Sequence, residues 1–167
     1  MLKKNTVLII FLITALFSIG LYGNPSCAHA EDAVDFSLKR VADGSDFSFA
    51  QQKGKCSLIV FGSMYCKPCI ELIPVVARLY EAYKPSGFLA VGVDIDMTSD
   101  DDKLKNFALE KKISFPFLRD NGSVAKKNKV FMLPTTLIVD GSGLVVKRYT
   151  GYQSYDTLEK MIKKYFQ

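Results

Sequence analysis

The sequence predicts an α/β sandwich in which strands alternate with helices around a central sheet. Short apolar runs alternate with stretches whose apolar residues recur at helical spacing, in the order hairpin, β, α, β, α, β, short α, β, β, α. A terminal antiparallel hairpin closes the series of alternating elements. A Cys-x-x-Cys, Cys66-Lys67-Pro68-Cys69, falls at the corner between an apolar run and the first long helix. The chain has 167 residues, enough for one domain with a core.

The N-terminus reads as a targeting segment. Met1-Leu2-Lys3-Lys4 is positive, Val7 to Gly23 is uncharged and apolar, Pro25 breaks the run, and Ala28-His29-Ala30 is an A-x-A site ahead of Glu31. This is the layout of a secretory signal peptide over residues 1–30, leaving a domain over 31–167 in a periplasmic or other extracytoplasmic compartment. The rival reading is an uncleaved membrane anchor, because the stretch is close to the short limit for a span. Cys27 is a poor lipidation site, since Asn24-Pro25-Ser26 lacks the expected aliphatic residue.

The elements follow in order. Phe36–Val41 and Phe47–Phe49 flank Ala42-Asp43-Gly44-Ser45, whose Asp-Gly pair signals a hairpin. Cys56–Phe61 is a buried strand. A helix from about Cys66 to Tyr83 carries Leu72, Val76, Leu79, Tyr80 and Tyr83 at helical spacing, with Pro74 inside it as an expected kink. Phe88–Ile95 alternates little and reads as a buried parallel strand. Lys103–Lys112 is a helix, Ile113–Leu118 an extended run, and Val124–Lys129 a short helix. Thr136–Val139 and Leu144–Tyr149 are strands joined by Asp140-Gly141-Ser142-Gly143. Ser154 caps a last helix with Leu158, Met161, Ile162 and Tyr165 on one side.

Charge and composition exclude several function classes. Loss of residues 1–30 removes Lys3 and Lys4 and lowers the formal net charge from +5 to +3. With no basic cluster interleaved with aromatics, nucleic-acid binding is unsupported. The single histidine, His29, goes too, so the remaining domain has none for base catalysis or metal ligation. Cys56, Cys66 and Cys69 remain, an odd number for an oxidising compartment. A purely structural link across two residues would constrain almost no loop, and a zinc site needs two further Cys or His ligands. The pair therefore reads as redox-active. Cys66 at a helix start would be favoured as a thiolate by outward-pointing N–H groups, and the thiolate is the attacking form. Pro68 fits the first helical turn. Lys67 reads as a solvated side chain whose charge can further favour that thiolate.

The remaining candidates have plainer readings. Cys56 is a small buried residue at a strand start. Asp94, Asp96, Asp100, Asp101 and Asp102 lack the glycine of a calcium loop; the first two leave a strand end and the last three favour a helix N-terminus.

On Cys66-Lys67-Pro68-Cys69 after a strand, Pro74 beyond it, and Leu133-Pro134-Thr135-Thr136 ahead of a strand and hairpin, the chain resembles the exported TlpA/ResA-like disulfide reductases of the thioredoxin fold. Val34–Leu38 is similar to that family's opening strand. The resemblance implies a thioredoxin-like three-layer sandwich with a central mixed sheet, an N-terminal hairpin extension and a β-α insertion from about Val93 to Leu118. It implies a protein disulfide reductase, with no cofactor, acting through a mixed disulfide on Cys66 that Cys69 resolves. Pro134 would be cis beside the cysteines, and Tyr65, Lys67, Pro68, Leu133 and Pro134 would face the substrate. A protein disulfide substrate and a membrane electron donor are the implied partners, with cytochrome c maturation as the setting. The chain departs from the family at Tyr65, where a Trp is usual. It departs again at Val60 and Leu72, the two positions where a buried acid is common, which predicts that Cys69 lacks a buried carboxylate. Two rivals share the fold. A Sco-type copper protein needs Cys-x-x-x-Cys and a distant His, and a peroxiredoxin-type peroxidase needs a Pro-x-x-x-Thr/Ser-x-x-Cys site; neither pattern is present.

Overall fold

The computed structural model describes residues 34–52 and 54–166. The proposed signal segment, its cleavage site and Cys27 lie outside them. Among the described residues no helix is long and apolar enough to cross a membrane.

Seven strands form one mixed sheet in the order β2-β1-β5-β4-β3-β6-β7. β1 (Ser37–Arg40) and β2 (Asp46–Ser48) make the N-terminal hairpin, with Leu38 opposite Phe47. Asp43 stabilises its turn by accepting from the N–H and hydroxyl of Ser45 at 2.9 and 2.7 Å, and Gly44 supplies the positive φ of +73° that the turn needs. The approach to this hairpin alternates as a half-buried strand should: Val34, Phe36 and Leu38 are buried, Asp35, Ser37 and Lys39 exposed. β3 (Cys56–Gly62) lies between β4 (Phe88–Asp94), to which it is parallel, and β6 (Thr135–Asp140), to which it is antiparallel. All seven residues of β4 are buried, which explains their lack of alternation. β5 (Phe117–Arg119) pairs parallel with β4, and β7 (Val145–Thr150) closes the other edge.

The sequence reading differs from the structure in two elements. Phe49 does not end a strand; it opens a short helix, α1 (Phe49–Gln52), and its N–H donates to the Phe36 carbonyl. The extended run 113–118 contributes only its end to the sheet. Pro116 has no N–H to donate, although its carbonyl accepts from Gly92.

Helix α2 (Lys67–Tyr83) runs through Pro74 as one helix. α3 (Asp101–Glu110) is capped by Asp100, α4 (Ser123–Lys127) is short, and α5 (Tyr155–Lys163) is capped by Ser154 as predicted. Tyr83 of α2 and Tyr155 of α5 both donate to Glu159, each at 2.9 Å, joining the two helices.

Alternate side chains of the central strands feed two apolar clusters, one on each face of the sheet. Leu58 and Ala90 join Leu72, Val76, Leu79 and Leu158 under α2 and α5. Ile59, Phe61, Val91 and Val93 meet Phe36, Phe47 and Phe49 on the opposite face. The N-terminal hairpin is thus core, not decoration: Phe47 and Phe49 are fully buried and both stack on Phe36. Phe47→Ala should therefore cost about 3–5 kcal/mol, read as a lower urea midpoint with unchanged slope. A loss under about 1 kcal/mol would mean the hairpin is not part of the cooperative core.

Candidate active site

Strand register brings three chain segments to one end of the sheet. In the β3–β4 pair Gly62 lies level with Asp94, and in the β3–β6 pair Phe61 lies level with Thr135. The end of β3, which leads to Cys66, therefore meets the end of β4 and the start of β6, just after Pro134. Ligand sites in open α/β sheets form at such carboxyl ends of parallel strands.

The corner between β3 and α2 is held by backbone donors. Met64 N–H donates to Asp94 Oδ2 at 3.0 Å, Tyr65 N–H to Ser63 Oγ at 3.1 Å, and Cys66 N–H to the Ser63 carbonyl at 3.1 Å. Cys66 is the N-cap of α2, with extended φ, and its carbonyl accepts from Cys69 and Ile70. Lys67 and Pro68 form the first helical turn, the place where a proline's missing N–H costs least.

Cys66 and Cys69 are joined in a disulfide with Cα atoms 5.2 Å apart. Their surroundings differ: Cys66 is part exposed, while Cys69 is 7% exposed. Gly62 makes this packing possible, because a Cβ there would lie 3.3 Å from Cys69 Cβ and 3.4 Å from its sulfur. Leu133–Pro134 is a cis peptide; Pro134 is buried and Leu133 partly so. The Pro134 carbonyl accepts from Gly151 N–H at 2.8 Å, which brings the end of β7 to the same region. Tyr65 and Lys67 are exposed. All seven residues expected at the site thus lie at the corner or at the start of β6.

Reading the sequence missed two groups of residues here. The first is an apolar rim: Phe131 is 89% exposed, and Met132 and Tyr152 are exposed as well, on the segments flanking Pro134 and Gly151. The second corrects the expectation that Cys69 has no carboxylate nearby. Val60 and Leu72 do line a cavity of about 40 Å³ against Cys69, and both are apolar, but Asp94 lines it as well. Asp94 is 1% exposed, so it does not leave the strand end toward solvent. Burial pushes its carboxyl above the ordinary aspartate range, against the N–H groups of Asp96 and Met64, which favour the charged form. The available signal was a lone acid closing a wholly apolar strand.

A pair of sulfurs that closes into a ring on oxidation and opens on reduction carries out thiol–disulfide exchange, and the sheet presenting it is that of the thioredoxin-fold oxidoreductases. The chain belongs to the AhpC/TSA family, whose model matches residues 30–148. It is 32% identical to the thiol-disulfide oxidoreductase ResA of Bacillus anthracis, over 98% of each chain. It is 30% identical to the thioredoxin-like protein YneN of Bacillus subtilis, over 79% of this chain and 77% of that one. A solved thiol:disulfide interchange protein of Chlorobium tepidum superposes with a TM-score of 0.74 at 24% identity, covering 85% of this chain and 100% of that one. The exposed lipoprotein thioredoxin of Streptococcus pneumoniae gives 0.70 at 22%, covering 78% and 99%. The two structural likenesses establish the fold; the sequence relatives establish a thiol–disulfide oxidoreductase.

The third described cysteine lies apart from this chemistry. Cys56 starts β3, is fully buried, and its thiol is pushed up to about 12, chiefly by burial and further by Asp140, with Lys164 opposing. The thiolate is the reactive form. Iodoacetamide at about pH 8 should therefore modify the reduced native protein at Cys66 and leave Cys56 untouched until denaturant is added. Native labelling of Cys56 at a rate near that of a free thiol would contradict its insulation.

Proposed function

We propose that the protein reduces disulfides of other proteins outside the cytoplasm, with Cys66 as nucleophile and Cys69 as resolving thiol. The observation that carries this is the unequal exposure of the two sulfurs: Cys66 is accessible at the helix N-cap and Cys69 is buried behind it. Reduced Cys66, favoured as a thiolate by the helix terminus, attacks a substrate disulfide and forms a mixed disulfide. Cys69 then attacks Cys66, the ring closes, and the substrate leaves with both electrons.

Tyr65, Lys67, Pro68, Leu133 and Pro134 form the substrate-facing surface, extended by Phe131, Met132 and Tyr152. Exposed aromatic and methionine side chains of this kind suit contact with an unfolded or extended polypeptide. Export rests on the signal-like segment 1–30. Outside the cytoplasm the oxidised ring must be reduced again, and a membrane electron donor fits that need. Kinship with ResA proteins supports a role in cytochrome c maturation, where haem-site cysteines are kept reduced.

Direction is tested by the reduction potential of the Cys66–Cys69 couple. Dithiol proteins of this fold span from about −270 to about −120 mV; a value near the lower end is expected, and one near the upper end would make the protein an oxidant. Roles are tested by trapping. Cys69→Ser should accumulate mixed disulfides with client proteins through Cys66, seen as reducible adducts, whereas Cys66→Ser should accumulate none. Adducts on Cys69 in the Cys66→Ser variant would reverse the assignment.

A further inference from the structure

The resolving step requires Cys69 to become a thiolate in a place that disfavours one. An apolar, water-poor site raises a thiol's pKa, so a neighbouring group has to take the proton. Val60 and Leu72 face the cavity against Cys69 and offer none. Glu71, next but one to Cys69 in sequence, is exposed on the outer side of α2.

We propose that Asp94 is the proton acceptor for Cys69, the proton passing across the cavity that the two side chains share. The inference rests on the thiol–disulfide reading of Cys66 and Cys69 and adds to it a residue from a different strand. Asp94 ends β4 level with Gly62, the residue packed against the Cys69 sulfur. Its Oδ2 accepts from Met64 N–H and its Oδ1 from Asp96 N–H, both at 3.0 Å. Each carboxylate oxygen retains a further lone pair. Asp94 and Cys69 are the titratable side chains that line the cavity of about 40 Å³.

The charged groups around Asp94 favour this role. Asp96, in the loop after β4, is held below the ordinary range by the Thr98 hydroxyl and N–H, so it stays charged and raises Asp94. Arg119, from β5, opposes that effect, but its guanidinium is taken up by Asp101 at 2.7 Å and by the Ser99 carbonyl. Cys69 is the titratable group that α2 contributes to the cavity, and the wall from α3 to β5 is apolar: Phe107, Ile113, Phe115 and Phe117. A carboxyl raised by burial is a better match to a thiol than an ordinary exposed aspartate.

The step balances as follows. In the mixed disulfide, the Cys69 S–H proton moves to Asp94. The Cys69 thiolate attacks Cys66 Sγ, the Cys66–Cys69 bond forms, and the Cys66–substrate bond breaks. The substrate leaves as a thiolate with the electron pair, and Asp94 releases its proton to solvent. In the reverse direction, protonated Asp94 returns the proton to Cys69.

Asp94 also braces Met64, so the test must separate bracing from proton transfer. Asp94→Asn keeps the shape and an acceptor oxygen but cannot take a proton. Stopped-flow release of thionitrobenzoate from the Cys66 mixed disulfide, from acid to alkaline pH, reads the resolving step. Wild type should hold level through neutral pH and fall on the acid side, where Asp94 is protonated. Asp94→Asn should be about 10²-fold slower at neutral pH, rise with hydroxide, and meet wild type in alkali; Asp94→Glu should regain part of the level region. A variant profile parallel to wild type at every pH, or unchanged, overturns the proposal and leaves Asp94 a brace. If wild type itself forms no mixed disulfide, the underlying thiol–disulfide reading fails with it, a distinguishable result. Should Asp94→Asn not fold, infrared difference spectra of wild type decide. A protonated-carboxyl band that changes between oxidised and reduced protein supports the proposal; its absence at every pH overturns it.

Discussion

The site depends on the pairing of β3 with two neighbours of opposite sense. Because β4 runs parallel to β3 and β6 antiparallel, the ends of β3 and β4 and the start of β6 lie together. Three segments far apart in sequence, around Cys66, Asp94 and Pro134, are thereby brought to one place without long loops. A slip of one residue in either register would turn every side chain of the moved strand to the opposite face. The apolar clusters on the two faces of the sheet guard against that, since each accepts one set of alternate residues. Core packing and site geometry are therefore one constraint.

The corner before α2 illustrates how polar groups are managed at the sheet's end. The chain leaves β3 and turns into a helix within four residues, Ser63 to Cys66, and the donors it exposes there need partners. Ser63 supplies two of them from within the turn, and Asp94 supplies the third from the neighbouring strand. A buried carboxylate is costly unless it is hydrogen-bonded, and Asp94 meets that condition while keeping one side toward the cavity. Brace and reactive neighbour are thus compatible in one side chain.

Much of this was legible in the sequence because it is local. The Cys66–Cys69 corner, the Asp43-Gly44 turn, the Ser154 cap and the long amphipathic helix each follow from residues within a few positions of one another. The elements that escaped notice lack such a local pattern. α1 is only four residues long, too short for a helical period to register, and Phe49 reads as well in a strand. β5 is shortened by Pro116, whose effect depends on which neighbour needs its N–H. Asp94 is ambiguous by itself: an acid at a strand end is usually solvated, and only its level with Gly62 puts it on the cavity that Cys69 also lines. The exposure of Phe131 and Met132 is likewise set by the path of the loop before β6, which no periodicity predicts.

The insulation of Cys56 has a consequence for stoichiometry. A third accessible thiol beside a dithiol would allow half-reactions: a crosslink between two chains, or a disulfide shuffled onto the wrong partner. Here that thiol is fully buried at the start of β3 and kept protonated, with the carboxylate of Asp140 adding to the effect of burial. Among the described residues the accessible redox capacity is therefore one pair. With that pair the protein exchanges electrons two at a time and returns to a closed ring after each cycle, and among the described residues the one odd sulfur, Cys56, is buried away from any covalent dimer contact.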